Sequence, residues 1–343
     1  MKCPECSYNQ KVNRDGMTCV GCNYRFCFNP KVSGLTDGKF SACIRSASQN
    51  GTQWYTENQL YAAFCRRMSR PQYKYALMGL APMALGFLIL TETNGNSSFG
   101  PLLIAGGVVL SILVAIACHF QRPVVERSSF DGYLKQWKSH KKLGKSSKLL
   151  IKPSLKKPPP EWTEPDIYDY GVERILIVER NILVDLFVRN GFHAEQRMLV
   201  LAESGYPSYL APIAAKLLEE RADLPIFLLH DATAHGIGME QRIRSGDLLP
   251  LRNQPLTDLG LFPADFQRLK RTKSFDVADK ARALPVDALP FPFLVMGMQS
   301  AFIHGVPFST LLTQQTGSSA VGGGSAGGGD SFAGSGGLDG DFG

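Results

Sequence analysis

The sequence contains no Gly-x-Ser-x-Gly elbow, no Walker loop and no Gly-x-Gly-x-x-Gly fingerprint. Nothing in it therefore points to a nucleophile-elbow hydrolase, a P-loop nucleotide hydrolase or a Rossmann oxidoreductase. The N-terminus, MKCPEC, lacks the apolar run of a signal peptide. Charge is missing altogether from two long stretches, residues 75–91 (YALMGLAPMALGFLILT) and 99–120 (FGPLLIAGGVVLSILVAIACHF). Each approaches or exceeds the roughly 20 helical residues that cross a hydrocarbon core, and the short polar connection between them has no Lys or Arg. Basic residues flank the pair instead, with Arg66, Arg67, Arg70 and Lys74 before it and Arg122, Arg127 and Lys135 among those after it. This asymmetry predicts an integral membrane protein with a two-span helical hairpin and both termini cytoplasmic. In a reducing compartment the eight cysteines read as metal ligands or free thiols, not disulfides.

Four of those cysteines have ligand spacing. Cys3 and Cys6, and then Cys19 and Cys22, form two Cys-x-x-Cys pairs with twelve residues between them. Two turns of this kind present four thiolates to one tetrahedral Zn²⁺, so residues 1–30 are predicted to form a zinc ribbon that is unfolded without metal. Four cysteines leave no coordination position open, which makes the zinc structural. Cys27 is surplus and is expected to pack behind the site.

The remaining organisation follows composition. Residues 31–73 are polar with one amphipathic helix, in which Leu60, Phe64 and Met68 share a face. Residues 74–121 are the two spans, and 122–165 a basic, Pro-containing linker. Within residues 122–157, eleven Lys or Arg stand against Glu126 and Asp131, a density suited to anionic lipid headgroups or, alternatively, nucleic acid. Residues 316–343 are Gly-rich, with too little apolar surface to offset chain entropy, so a disordered tail is expected. Between these lies an α/β domain, residues 166–315. RILIVE, RMLVLAE and LPIFLLHD read as strands, and RNILVDLFVRNGF and PSYLAPIAAKLLEERA as the helices between them. That alternation predicts a parallel sheet whose ligand site lies beyond the strands' carboxyl ends, where Glu179, Glu203 and Asp231 fall. The apolar segment that follows, broken by Pro290, Pro292 and Pro307, is expected to complete the core.

The ordered set ILIVERNILVDLF, ESGYPSYL, LLHDATAHGIG and TDLGLFPADF resembles the Toprim domain found in the A subunit of topoisomerase VI and in its meiotic relatives. The resemblance covers roughly residues 170–272 and implies an Mg²⁺ site on carboxylates, since Mg²⁺ takes oxygen ligands and keeps several waters. By motif matching Glu179 is the first-strand acid and Asp231 the first acid of Asp-x-Asp. The second acid is Thr233 here, which could still bond a metal-bound water. A shorter similarity, YTENQLYAAF, would place Tyr61 beside the nucleophile position of that family and Ala62 at it, and alanine cannot attack phosphorus. His230 is expected to point into the structure, and His235 could face a ligand.

Two functions follow. The first is a membrane-anchored cytoplasmic binding protein, with a zinc ribbon and a non-catalytic Toprim-like domain that engages nucleic acid, a nucleotide-like ligand or a protein partner. The second is an Mg²⁺-dependent phosphoryl-transfer enzyme, nuclease- or topoisomerase-like, that uses Glu179 and Asp231 and recruits Glu203 for the missing acid.

Overall fold

The computed structural model describes residues 1–11, 15–68, 88, 91, 99–120, 125–141, 148–158, 171–246, 249–251, 253–265 and 283–304. In chain order the elements are α1 (Pro30–Ser33), α2 (Asp37–Ala47), β1 (Tyr55–Thr56), α3 (Glu57–Met68), α4 (Phe99–Phe120), α5 (Arg127–Lys141), β2 (Leu149–Leu150) and β3 (Arg174–Val178). They continue with α6 (Asn181–Arg189), α7 (Phe192–Glu195), β4 (Met198–Ala202), α8 (Ala211–Glu220), β5 (Ile226–Leu229), α9 (Ala234–Ile237), α10 (Met239–Ser245), β6 (Leu256–Asp258) and α11 (Phe291–His304). The chain divides into two units, Met1–Phe64 with Arg127–Gly343, and Cys65–Glu126.

In the first unit the larger sheet is parallel throughout, in the order β4-β3-β5-β6. Its three long strands are buried along nearly their whole length, as expected of a sheet covered on both faces. Side chains alternate between the two faces. Leu176, Val178, Val200, Phe227 and Leu229 join one core with Leu183, Val184 and Phe187 of α6 and Phe291, Leu294 and Met298 of α11. Ile175, Ile177, Leu199, Leu201, Ile226 and Leu228 join the other, with Ala214, Leu217 and Leu218 of α8 and Met239 and Ile243 of α10. Each fully buried aliphatic side chain here contributes about 1.5–3 kcal/mol. Helix α6 stops at Arg189, with Asn190 as C-cap and Gly191 at φ 78°, a left-handed conformation that glycine adopts freely.

The chain runs from β3 to β4 on one side and then crosses to β5 on the other side of β3. That reversal opens a crevice beyond the carboxyl ends of β3 and β5, the usual place for a ligand in such a sheet. The N-terminal helices belong to the same unit. Phe28, Phe40, Phe64, Phe130 and Trp137 pack ring against ring, joining α2, α3 and α5. Asn190 donates to and accepts from the backbone of Trp54, at 3.0 and 2.7 Å, and Ala62 and Leu150 enter the sheet's core. Within the stretch read as a linker, residues 127–141 are therefore the helix α5, held by Phe130, Leu134 and Trp137.

Two expectations are corrected. Residues 99–120 do form the helix α4, but among the described residues no helix is long and apolar enough to cross a membrane. Most of residues 75–91 lies outside the described residues. Lack of charge and run length suggested two spans, but a span is a property of a complete apolar helix, and none is found among the described residues. The hairpin, the membrane anchorage, the lipid partner and the orientation that followed from it fall together. The second correction concerns residues 1–30. Among the described residues they carry only two isolated antiparallel bridges, Lys2 with Asn9 and Thr18 with Arg25, so there is no ribbon sheet. Cysteine spacing specifies the turns that carry the ligands, and says nothing about strands between them. The Gly-rich segment 316–343 and Cys118's side chain lie outside the described residues.

Candidate functional site

At the N-terminus the sequence repeats a short unit, Cys3-Pro-Glu-Cys6-Ser7-Tyr8 and Cys19-Val-Gly-Cys22-Asn23-Tyr24. Both copies fold alike. Cys3 N donates to Tyr8 O at 2.9 Å and Ser7 N to Cys3 O at 3.1 Å; Cys19 N donates to Tyr24 O at 2.8 Å and Asn23 N to Cys19 O at 2.9 Å. Ser7 and Asn23 take left-handed φ of 61° and 58°, which closes each turn. The two knuckles bring the four sulfurs within 4.8 Å of one another, with Cys3 to Cys22 at 3.6 Å and Cys6 to Cys19 at 3.5 Å. Four thiolates at about 2.3 Å from a tetrahedral ion stand about 3.8 Å apart, so this cluster is able to coordinate a metal such as zinc. Cys27 is buried and outside the cluster; its N–H donates to Asp37, which also binds the Phe28 N–H and the Tyr24 hydroxyl.

The second cluster forms at the sheet's carboxyl edge. Glu179 directly follows β3, Glu203 follows β4, and Asp231 follows β5 by two residues. The structure sets Glu179 against the main chain of Asp231: Glu179 Oε2 accepts from the Asp231 backbone N–H at 2.7 Å, while the Asp231 carboxylate turns to other partners. Thr233 joins them, its hydroxyl donating to Glu179 Oε1 at 3.5 Å and accepting from the Gly236 N–H at 2.9 Å. In that second role Thr233 is the N-cap of α9. A Cβ at Gly236 would lie 2.2 Å from Asp231 O and 2.9 Å from Glu179 Oε2, so this glycine permits the close approach. Glu203 stands apart, bonded to Arg242 Nε at 2.5 Å and Nη2 at 3.0 Å, with His235 Nε2 at 3.6 Å.

Arginines dominate the electrostatics. Arg180 grips both oxygens of Asp231, with Nε to Oδ2 at 2.7 Å and Nη2 to Oδ1 at 3.2 Å, and its Nη2 also bonds Asp287. Asp287 is fully buried on the 3-10 turn Val286–Ala288 and also accepts from Asn58 Nδ2 at 3.0 Å. Burial pushes the Asp231 carboxyl up to about 6, against the pull of Arg180. Burial works against the charge of Asp287 too, but there Arg180 prevails and holds the carboxyl below the usual range.

His230 points inward as expected. Its ring is fully buried, with Nδ1 2.8 Å from Asp231 O and Nε2 3.1 Å from Asp258 Oδ2, and burial's opposition to its charge is outweighed by that Asp258 bond. His235 is largely exposed beside Arg242. Tyr61 and Ala62 are both buried, the Tyr61 ring lying under Arg127 at 4.8 Å, so neither faces a ligand. Sequence reasoning missed Arg180, Arg242, Asp258 and Asp287. Arg180 had a signal, its position next to Glu179; Asp287, 107 residues beyond Arg180, had none.

Residues 174–283, less than half of the 343-residue chain, match the family model for the Toprim domain of the topoisomerase 6 A-subunit/Spo11 proteins. No curated protein and no solved structure gives a significant match to the chain. The parallel α/β domain at the C-terminal end of this chain is Toprim-like, and Glu179, Arg180, Glu203, Asp231, Thr233 and Arg242 of its sheet edge lie inside the matched span, whereas Asp287 and Asn58 lie outside it.

Proposed function

We propose that this protein carries out Mg²⁺-dependent chemistry on nucleic-acid phosphodiesters at the carboxyl edge of its Toprim-like sheet, with Glu179 and Asp231 as the principal acids and Glu203, held apart by Arg242, outside the pair. The observation that carries this reading is that the Glu179 carboxylate bonds the Asp231 backbone N–H at the crevice between β3 and β5, which sets the two acidic residues side by side inside the segment that matches the Toprim family. Glu179 is the less encumbered of the two, since among the described residues its Oε1 has only the long contact to Thr233. A bound Mg²⁺ would supply Lewis acidity and charge neutralisation at a phosphodiester. Thr233 would contribute a hydroxyl to a water on that ion, in place of a second aspartate.

The chain offers no nucleophile at the position the family motif assigns: Ala62 stands there, and its neighbour Tyr61 is packed in a core. Attack by water, with the new P–O bond replacing the ester P–O bond, fits these residues better than a covalent tyrosyl intermediate. The nuclease-like form is therefore favoured over the topoisomerase-like one. We further propose that the ion at Cys3, Cys6, Cys19 and Cys22 is a structural zinc, because all four ligand positions are taken by protein. The test is incubation of the zinc-loaded full chain with single- and double-stranded DNA and RNA in Mg²⁺ or Mn²⁺. Metal-dependent cleavage that drops at least a hundredfold in Glu179→Gln is the expected result. Nucleic-acid binding without cleavage at any metal concentration would sink the proposal.

A further inference from the structure

We infer that Arg180 is a built-in counter-ion of the sheet edge, and that a divalent cation binds Asp231 only after the guanidinium has let go of it. The inference rests on the proposed metal site, but concerns a residue that nothing in that reading assigns.

Asp231 has little hydrogen-bond capacity to spare. Its Oδ2 takes Arg180 Nε at 2.7 Å, while its Oδ1 takes Arg180 Nη2 at 3.2 Å and the Val286 N–H at 2.8 Å. Both oxygens are thus engaged, and a bidentate arginine fork is among the stronger partners a carboxylate can have. A hard cation needs one of those oxygens, so it competes with the guanidinium directly. Arg180 is also the N-cap residue of α6 and makes no side-chain cap bond there; its side chain is committed to the two aspartates.

Charge points the same way. Asp231, Asp287 and Arg180 together carry one net negative charge when all are ionised, and the bound guanidinium lowers the negative field that would draw in a divalent ion. Release is mechanically open to Arg180. Its side chain remains 30% exposed, while the Asp287 side chain at its far end is at 0% and is held by Asn58, whose Oδ1 in turn accepts from Arg127 Nη1 at 2.8 Å. Asp287 is the fixed post, and Asp231 is the partner Arg180 can leave. A phosphodiester entering the crevice offers the freed guanidinium a replacement anion.

The experiment is Mn²⁺ titration of the zinc-loaded full chain, followed by electron paramagnetic resonance and calorimetry, with Asp231→Asn as the control that defines binding at this edge. Arg180→Gln is expected to tighten Mn²⁺ binding by about tenfold or more, with Arg180→Lys in between. Should Arg180→Gln leave two aspartates repelling each other and fail to fold, Arg180→Gln combined with Asp287→Asn keeps the trio at one negative charge. Tighter binding than wild type in that double variant supports release of Asp231 itself, because the net field is unchanged. Equal or weaker Mn²⁺ binding in the folded variants overturns the inference, and so does absence of edge binding in all of them. If the arginine variants gain Mn²⁺ yet nothing cleaves nucleic acid, the counter-ion role stands and the proposed chemistry fails.

Discussion

At the N-terminal knuckles four thiols converge to 3.5–3.6 Å across the cluster, whereas at the sheet edge the carboxylates of Asp231 and Glu203 are already clasped by arginines of the same chain. Four thiolates so placed would repel one another without a cation, so on the proposed reading the first cluster is built to receive an ion. The second has supplied its own positive charge and can fold without one. The four thiols and the acidic sheet edge of one compact unit should therefore depend on metal in opposite ways. Removal of the ion should dismantle the first and leave the second standing.

The largest effect expected is at the knuckles. Structural zinc sites of this ligand type contribute about 10–16 kcal/mol in isolated peptides. A strong chelator, or Cys19→Ser, should release one zinc per chain by metal analysis and open residues 1–30 to proteolysis. Depletion of Mg²⁺ alone should leave the melting temperature unchanged. A matching loss of stability on Mg²⁺ depletion would erase the contrast between the clusters.

The next effect probes whether the edge is self-neutralised. Burial raises the Asp231 carboxyl to about 6, above its ordinary value of 3.8. A carboxyl raised in the folded state binds its proton more tightly there than in the unfolded chain. Its contribution to stability is whole below about pH 4 and lost as pH climbs through about 6. Wild type measured against Asp231→Asn by urea unfolding should therefore lose about 2 kcal/mol of relative stability between pH 4 and 6.5, then level off. A relative stability that instead grows over this range would mean that Arg180 outweighs burial, and that the edge is more fully neutralised than the raised carboxyl implies.

Packing beneath the edge sets the third test. A Cβ at Gly260 would fall 2.1–2.3 Å from three atoms of the His230 ring, which is buried and pinned by Asp231 O and Asp258. Gly260→Ala should cost about 2–3 kcal/mol, with the crevice distorted along with His230. The same change paired with His230→Ala should recover part of that loss, since the clash is with the ring.

How far the sequence could be read depended on whether the deciding contacts were local. The strands β3, β4 and β5 were legible because RILIV, MLVLA and IFLL are short apolar runs closed by acids or turns, and the knuckles because their ligands lie within 20 residues of one another. β6 was missed: it has three residues, all half-buried, too few to show a period. Helix α5 was hidden by its lysines, since Phe130, Leu134 and Trp137 form its buried stripe within a basic run that reads as linker. The membrane hairpin shows the converse error, in which missing charge mimics a span. At the edge, Glu179, Asp231 and Glu203 stood out as acids, but their partners Arg180, Asp287 and Arg242 depend on the fold to reach them, and those partners decide what the acids can do.

Thr233 gives the smallest and most discriminating test. Its hydroxyl serves both as N-cap of α9 and as the contact to Glu179, so Thr233→Ala should cost about 1 kcal/mol through the cap alone. Thr233→Asp keeps a capping oxygen and sets a carboxylate beside Glu179, which like-charge repulsion makes unfavourable until a cation arrives. In the zinc-loaded chain its melting temperature should lie within a few degrees of wild type without added Mn²⁺ and rise when Mn²⁺ is added, while wild type and Thr233→Ala stay flat over the same range. A Thr233→Asp variant indifferent to Mn²⁺ would show that Arg180 keeps the edge closed even with a second acid at position 233, and the counter-ion would then outrank the neutral Thr233 as the reason this site differs from the first.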